Sequence, residues 1–289
     1  YGEGDGEFGA VSGIAIDQND IIYITDPYNY RIQKFDSSGN YLSQFGSQGS
    51  GDGDFQSSPN GIDVDEFGNI YVSTWYGTKK FSNDGTFINN FNGASGHNDV
   101  AVDAVGNVFV AASGSGKILK FDGSGNLIAE WGSSGSGDGQ FGNFVGIDVD
   151  SLGNIYTLEN STYRVQKFGP DGTFITKWGS EGSEPGMFKY PEGLSVDNDG
   201  DIFVADTDNK RLQKFDSSGN YITSFGSPSN LSEMVGVGGI VAFSGLSNIS
   251  KSYADTNISV HPHPSHNGVI IGGLTAASTG EIDNSYSKG

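Results

Sequence analysis

Residues 193–225 read GLSVDNDGDIFVADTDNKRLQKFDSSGNYITSF, and this stretch decides the fold. Apolar and polar residues alternate in four short runs rich in Val, Ile, Phe and Tyr, and Gly, Asn and Asp separate the runs. The spacing predicts strands over 193–197 and 202–205, divided by a turn around Gly200. A third strand is expected over 211–215, and the turn Ser217-Ser218-Gly219-Asn220 leads into a fourth over 221–225.

The same pattern recurs outward from this unit. Its first run ends in Asp17, Asp65, Asp103, Asp150 and Asp197, at successive intervals of 48, 38, 47 and 47 residues, within GIAID, GIDVD, DVAVD, GIDVD and GLSVD. Residues 34–47, KFDSSGNYLSQFGS, nearly repeat residues 214–227, KFDSSGNYITSFGS. Five four-stranded units at such spacing predict an all-β chain with a β-propeller over 1–227, because each blade can bury both faces against its neighbours. Phe45, Phe91, Trp131, Trp178 and Phe225 fall at equivalent ends of the fourth strands and are expected to pack between blades. Composition agrees: 46 Gly among 289 residues with 12% aromatics excludes both a helical bundle and a disordered chain.

The string from Pro191 to Phe215 resembles an NHL repeat, and residues 11–35 resemble it nearly as well. The second and third copies depart from the D-x-x-N-x-R segment, having Thr74 and Lys79, and Ala112 and Lys117, so an ion pair of that segment is not expected there. The resemblance implies a propeller; propellers of this kind serve as lyases, RNA binders, sensors and surface proteins. The amidating lyase that shares the resemblance holds a metal with histidines from several blades. Here the propeller has His97 alone, which does not support a metal-dependent lyase, and no G-x-S-x-G elbow frames a serine.

Beyond Ser227 the pattern changes. Val237-Gly-Gly-Ile-Val is related to Ile271-Gly-Gly-Leu-Thr, and Asn248-Ile-Ser-Lys-Ser-Tyr to Glu281-Ile-Asp-Asn-Ser-Tyr. This two-copy unit over 228–289 resembles the GLUG repeat of large prokaryotic surface proteins, which implies a short β-solenoid-like tail. Two stacked repeats are few. The tail is therefore expected to pack on another element: a sixth blade position, further chain or a neighbouring subunit.

Charge and composition narrow the partners. With 35 acidic against 15 basic residues the net charge is −20. Nucleic acid is excluded as a partner, since phosphate binding depends on Lys and Arg. The apolar stretch 234–243 is about half of what spans a bilayer, so membrane insertion is not expected. Cysteine is absent, which excludes disulfides and thiolate metal sites.

Three sets of residues could bind cations. Asp197, Asp199 and Asp201 have the alternating spacing that can turn carboxylates toward calcium, although the same residues form the turn between the first two strands. His261, His263 and His266 could hold a transition metal or be an exposed Pro-rich loop. In an up-and-down meander the inter-blade connections share a rim with the second-to-third-strand turns. That rim would gather Glu3, Asp5, Glu7, Asp52, Asp54, Asp138, Glu181 and Glu184 with Asp26, Glu159, Asp206 and Asp208, either as a cation-binding face or for solubility. N-glycosylation sequons occur at Asn160, Asn230, Asn248 and Asn257, as many as chance would place.

The sequence is thus expected to encode a non-enzymatic extracellular or cell-surface protein serving structure, adhesion or filament assembly. It would pair with other protein subunits or glycans and need no cofactor beyond calcium. The alternative is a ligand-binding or sensor propeller using its central opening.

Overall fold

The structure is a computed structural model and describes residues 2–226. The tail repeats of 228–289, with Asn230, Asn248, Asn257, His261, His263 and His266, lie outside the described residues. Among the described residues there are twenty strands and no helix. They form five antiparallel four-stranded sheets, each in sequence order, set as the five blades of a β-propeller around a central channel. The strands that line the channel are Ile14–Ile16, Ile62–Val64, His97–Val102, Phe144–Val149 and Pro191–Val196.

In the fifth blade the third and fourth strands, Arg211–Phe215 and Tyr221–Phe225, fall where the alternation places them. The first strand instead begins at Pro191, with a register shift between Pro191 and Gly193. Proline can open a strand because its missing N–H costs nothing at the end of a ladder. A shift also recurs between the third-strand Lys and Phe of every blade, at Lys34/Phe35, Lys80/Phe81, Lys120/Phe121, Lys167/Phe168 and Lys214/Phe215.

The turn after each first strand explains why Asp recurs there. One Asp65 carboxylate oxygen accepts the N–H groups of Phe67 and Asn69, and the other accepts the Asn69 amide and the Tyr71 hydroxyl. Asp150 does the same for Leu152, Asn154 and Tyr156. The carboxylate thereby satisfies the turn and the buried phenol of the next strand together.

Apolar cores sit between blades. Tyr23 and Ile32 of blade 1 join Phe55, Ile62 and Phe81 of blade 2, and Tyr156 and Val165 of blade 4 join Phe188, Leu194 and Phe215 of blade 5. Four of the five fourth-strand aromatics cross these junctions as expected: Phe45 lies 5.0 Å from Phe81, Phe91 5.6 Å from Phe121, Trp131 6.4 Å from Phe168 and Trp178 5.9 Å from Phe215.

Lysines latch the same junctions. Lys34 donates to the Asn83 carbonyl of the next blade at 2.6 Å, Lys80 to Gly123 at 3.2 Å, Lys120 to Pro170 at 3.0 Å and Lys167 to Ser217 at 2.8 Å. Each ammonium also lies about 5 Å over an aromatic ring of its own second strand: Tyr23, Tyr71, Phe109 and Tyr156.

Candidate functional site

The channel holds a cavity of about 450 Å³ whose wall is built from the first strands. Four carboxylates line it, and none was singled out by the sequence reading: Glu192 at the mouth and Asp63, Asp99 and Asp148 on the first strands. The latter three are built alike. Each joins two blades. Asp63 accepts the N–H of Val64 and, in the next blade, that of Val102; Asp99 accepts from Val100 and Ile147; Asp148 accepts from Val149 and Val196, all at 2.7–3.0 Å. Burial raises their pKa values, to about 7 for Asp99 and Asp148 and well above the usual range for Asp63, where the Asp148 charge adds to the effect. The signal available in sequence was Asp63 and Asp148 at the first-strand position where other copies carry Ala15 or Ala101, and Asp99 where the other copies carry Gly13, Gly61, Gly146 and Gly193.

His97 shares a strand with Asp99 but packs away from the cavity wall. It is fully buried, with Nδ1 3.0 Å from the Thr78 hydroxyl, and burial holds its pKa down to about 4, so the ring is neutral at physiological pH. Among the described residues no group of three or more His, Asp or Glu is placed to share a metal ion.

The Asp197-Asp199-Asp201 segment forms a turn in which one Asp197 oxygen accepts the N–H groups of Asp199 and Asp201. Lys214, the fifth copy of the latch lysine, turns back to this segment with its Nζ 2.7 Å from Asp201 and 3.7 Å from Asp197. Its ammonium stands where the two carboxylates converge; Asp199 is exposed beside them.

The inter-blade connections do meet the second-to-third-strand turns, but through arginine rather than through a plain acidic surface. Arg31 pairs with Asp26 at 3.0 Å and donates to the carbonyls of Glu3, Gly4 and Glu7. Arg164 pairs with Glu159 at 2.9 Å and reaches the carbonyls of Ser136, Gly137 and Gln140. Arg211 pairs with Asp206 at 2.7 Å and reaches those of Glu184 and Met187. Asp26, Glu159 and Asp206 are therefore fully buried ion-pair partners, and they do not belong to the acidic rim expected of them. Blades 2 and 3 have no such pair: Thr74 bonds the Gly77 carbonyl, and Lys117 faces Glu130.

The same end of the channel is edged by Ser12, Asn60, Asn98, Asn160 and Glu192. The sequon residue Asn160 is half-buried there, and its side-chain oxygen accepts from the Asn143 amide at 2.9 Å.

This architecture is that of a β-propeller carrying NHL-type sequence, and the comparisons agree. A family model described as NHL repeat matches residues 188–215. The protein brain tumor of Drosophila melanogaster is 31% identical over 140 residues, which is 46% of this chain and 13% of that protein's length. A streptogramin B lyase structure superposes with a TM-score of 0.61 at 15% identity, covering 78% of this chain and 73% of the other. A nidogen/laminin complex gives 0.60 at 18%, covering 76% and 80%. A gluconolactonase from Xanthomonas campestris gives 0.56 at 14%, covering 78% of each. At such identities these structures show a shared fold alone.

Proposed function

We propose that the chain is a non-enzymatic binding propeller of an extracellular or cell-surface protein, acting in adhesion or in assembly with other protein subunits. The observation that carries this reading is how the channel carboxylates are used. Each gives both oxygens to main-chain N–H groups of two blades, whereas a general base needs an oxygen aimed at the proton it removes. His97 is likewise turned into a blade junction. What faces outward is a set of acidic connections and exposed aromatic turns. One of the similar structures is a nidogen/laminin complex, and binding another protein is the role assigned here. The acidic, base-poor composition and the tail's resemblance to surface-protein repeats support the extracellular placement.

The cavity favours a second reading, a sensor propeller that takes a small ligand. Light scattering and native imaging of the full chain separate the two: assemblies support the first, and a discrete monomer supports the second. Turnover of a lactone or ester substrate that is lost in His97→Ala would overturn both.

A further inference from the structure

The cavity mouth on the connection side carries polar groups that the blade junctions do not consume, and exposed aromatic turns lie at the same end of the blades. We propose that this mouth binds a neutral glycan, an inference that rests on the binding role above and names its ligand.

The edge is suited to hydroxyl groups. Asn60, Asn98 and Asn160 each present a carboxamide with two donors and an acceptor, and Ser12 and Glu192 stand among them. Asn98 gives one N–H to the Phe144 carbonyl at 3.2 Å, and Asn160 takes one from Asn143, so further donors and acceptors remain on both. Among the described residues no Lys, Arg or His lines the cavity, and Asp63, Asp99 and Asp148 stand deeper in its wall, so a sugar acid or sulfate would find no cation to pair with.

Exposed aromatic residues lie at the same end of the blades as this edge, near its residues in sequence, at two places. In blade 2, Trp75 and Tyr76 occupy the turn between the second and third strands and are 51% and 61% exposed. The Trp75 carbonyl accepts the Gly96 N–H at 2.7 Å, and a Cβ on Gly96 would sit 3.4 Å from the indole, so the ring lies against the segment leading into Asn98. At blade 5, Tyr190 is 55% exposed, two residues before Glu192 and edge-on to Tyr163 at 6.3 Å. The electron-rich face of such a ring attracts the C–H face of a pyranose, while the carboxamides take its hydroxyls.

Tyr190 adds an independent sign. Its φ is +45°, in the left-handed region, although Pro191 follows it and disfavours that conformation for the residue before. Tyr30, Tyr163 and Lys210 are left-handed at one shared turn position of blades 1, 4 and 5 and so belong to the repeat. Tyr190 has no counterpart, and strain of this kind concentrates where a side chain is held for a ligand.

The test is calorimetric and fluorescence titration of the full chain with cello-, chito- and mannohexaose, with the glucuronate and sulfated oligomers as controls. One neutral oligomer should bind and change the tryptophan emission. Trp75→Ala and Tyr190→Ala should each weaken binding by about tenfold or more, with unchanged melting curves. Trp75→Phe should restore part of the affinity, and Phe67→Ser, at the other end of the channel, should leave it unchanged. Absence of binding at millimolar concentration, binding that survives both alanine variants, or equal binding of the anionic oligomers would overturn the proposal. A chain that assembles in light scattering yet ignores every neutral sugar defeats the glycan site and leaves the binding role standing.

Discussion

Asp148 Oδ2 lies 2.7 Å from the main-chain nitrogen of Val196 in the following blade, while Oδ1 takes the Val149 nitrogen of its own. Two blades therefore share one carboxylate, half-buried in the channel wall, where desolvation raises its pKa to about 7.

The sign of the resulting pH dependence follows from where the protons sit. An unfolded Asp releases its proton near pH 4, whereas the folded Asp99 and Asp148 keep theirs to about 7. Across that window the unfolded state binds fewer protons, so stability should fall as pH rises from about 4 to about 7 and then level off. The loss is on the order of 4 kcal/mol per group at most. Asp36, Asp122 and Asp216, whose Asn partners lower their pKa values, act in the opposite sense and only below about pH 4, while buried His97, with its pKa lowered to about 4, offsets part of the fall between about pH 4 and 6.5. Urea unfolding should show greater stability at pH 5 than at pH 8, with a smaller difference in Asp148→Asn. Stability that rises between these values contradicts the assignment.

Removing one partner of a buried ion pair exposes the other to an uncompensated environment. Arg164→Ala leaves Glu159 fully buried without its guanidinium and the 136–140 connection without three hydrogen bonds. Denaturant unfolding should show a loss of about 3–5 kcal/mol, against under about 1 kcal/mol for Lys117→Ala, whose pairing with Glu130 is exposed.

The junction tryptophans rest on glycines of the next blade. Gly219 has φ +86°, and a Cβ there would come within 2.5 Å of the Trp178 ring; Gly172 stands in the same relation to Trp131 at 2.7 Å. Gly219→Ala should cost on the order of 1–3 kcal/mol. Trp178→Ala should cost about 2–3 kcal/mol, below the value for a fully buried ring because Trp178 is half-buried. Thermal unfolding of the two variants measures both.

Calcium would have to displace Lys214 from between Asp197 and Asp201. Millimolar calcium should leave the melting temperature of the parent chain unchanged. A clear rise would show that the three acids accept a divalent ion after all.

Much of this was legible in sequence. Alternation and turn residues located the strands of blade 5 because the backbone obeys local rules there, and the recurring Asp marked each first turn. The start at Pro191 escaped because a register shift carries the pairing two residues further than the alternation suggests. Asp26, Glu159 and Asp206 were read as surface because their turn position is exposed in principle; a guanidinium from the adjacent strand, held by loop carbonyls, is what draws them inside. Asp63, Asp99 and Asp148 were missed for a related reason. Their partners are main-chain N–H groups of the next blade, and no side-chain pattern announces them.

That choice of partners has a consequence for how such a ring can grow. The latch lysines donate to carbonyls of Asn83, Gly123, Pro170 and Ser217, four different residue types, and the channel acids accept from the amides of Val102, Ile147 and Val196. These polar links take main-chain groups of the neighbouring blade, which every residue but proline offers in full, while the aromatic contacts beside them depend on side chains. The polar links of a duplicated blade would thus need no matching change in sequence, and only the aromatic contact and the glycine it rests on would have to be kept. Copying and divergence, recorded here in five unequal units, cost little in a ring hinged on backbone.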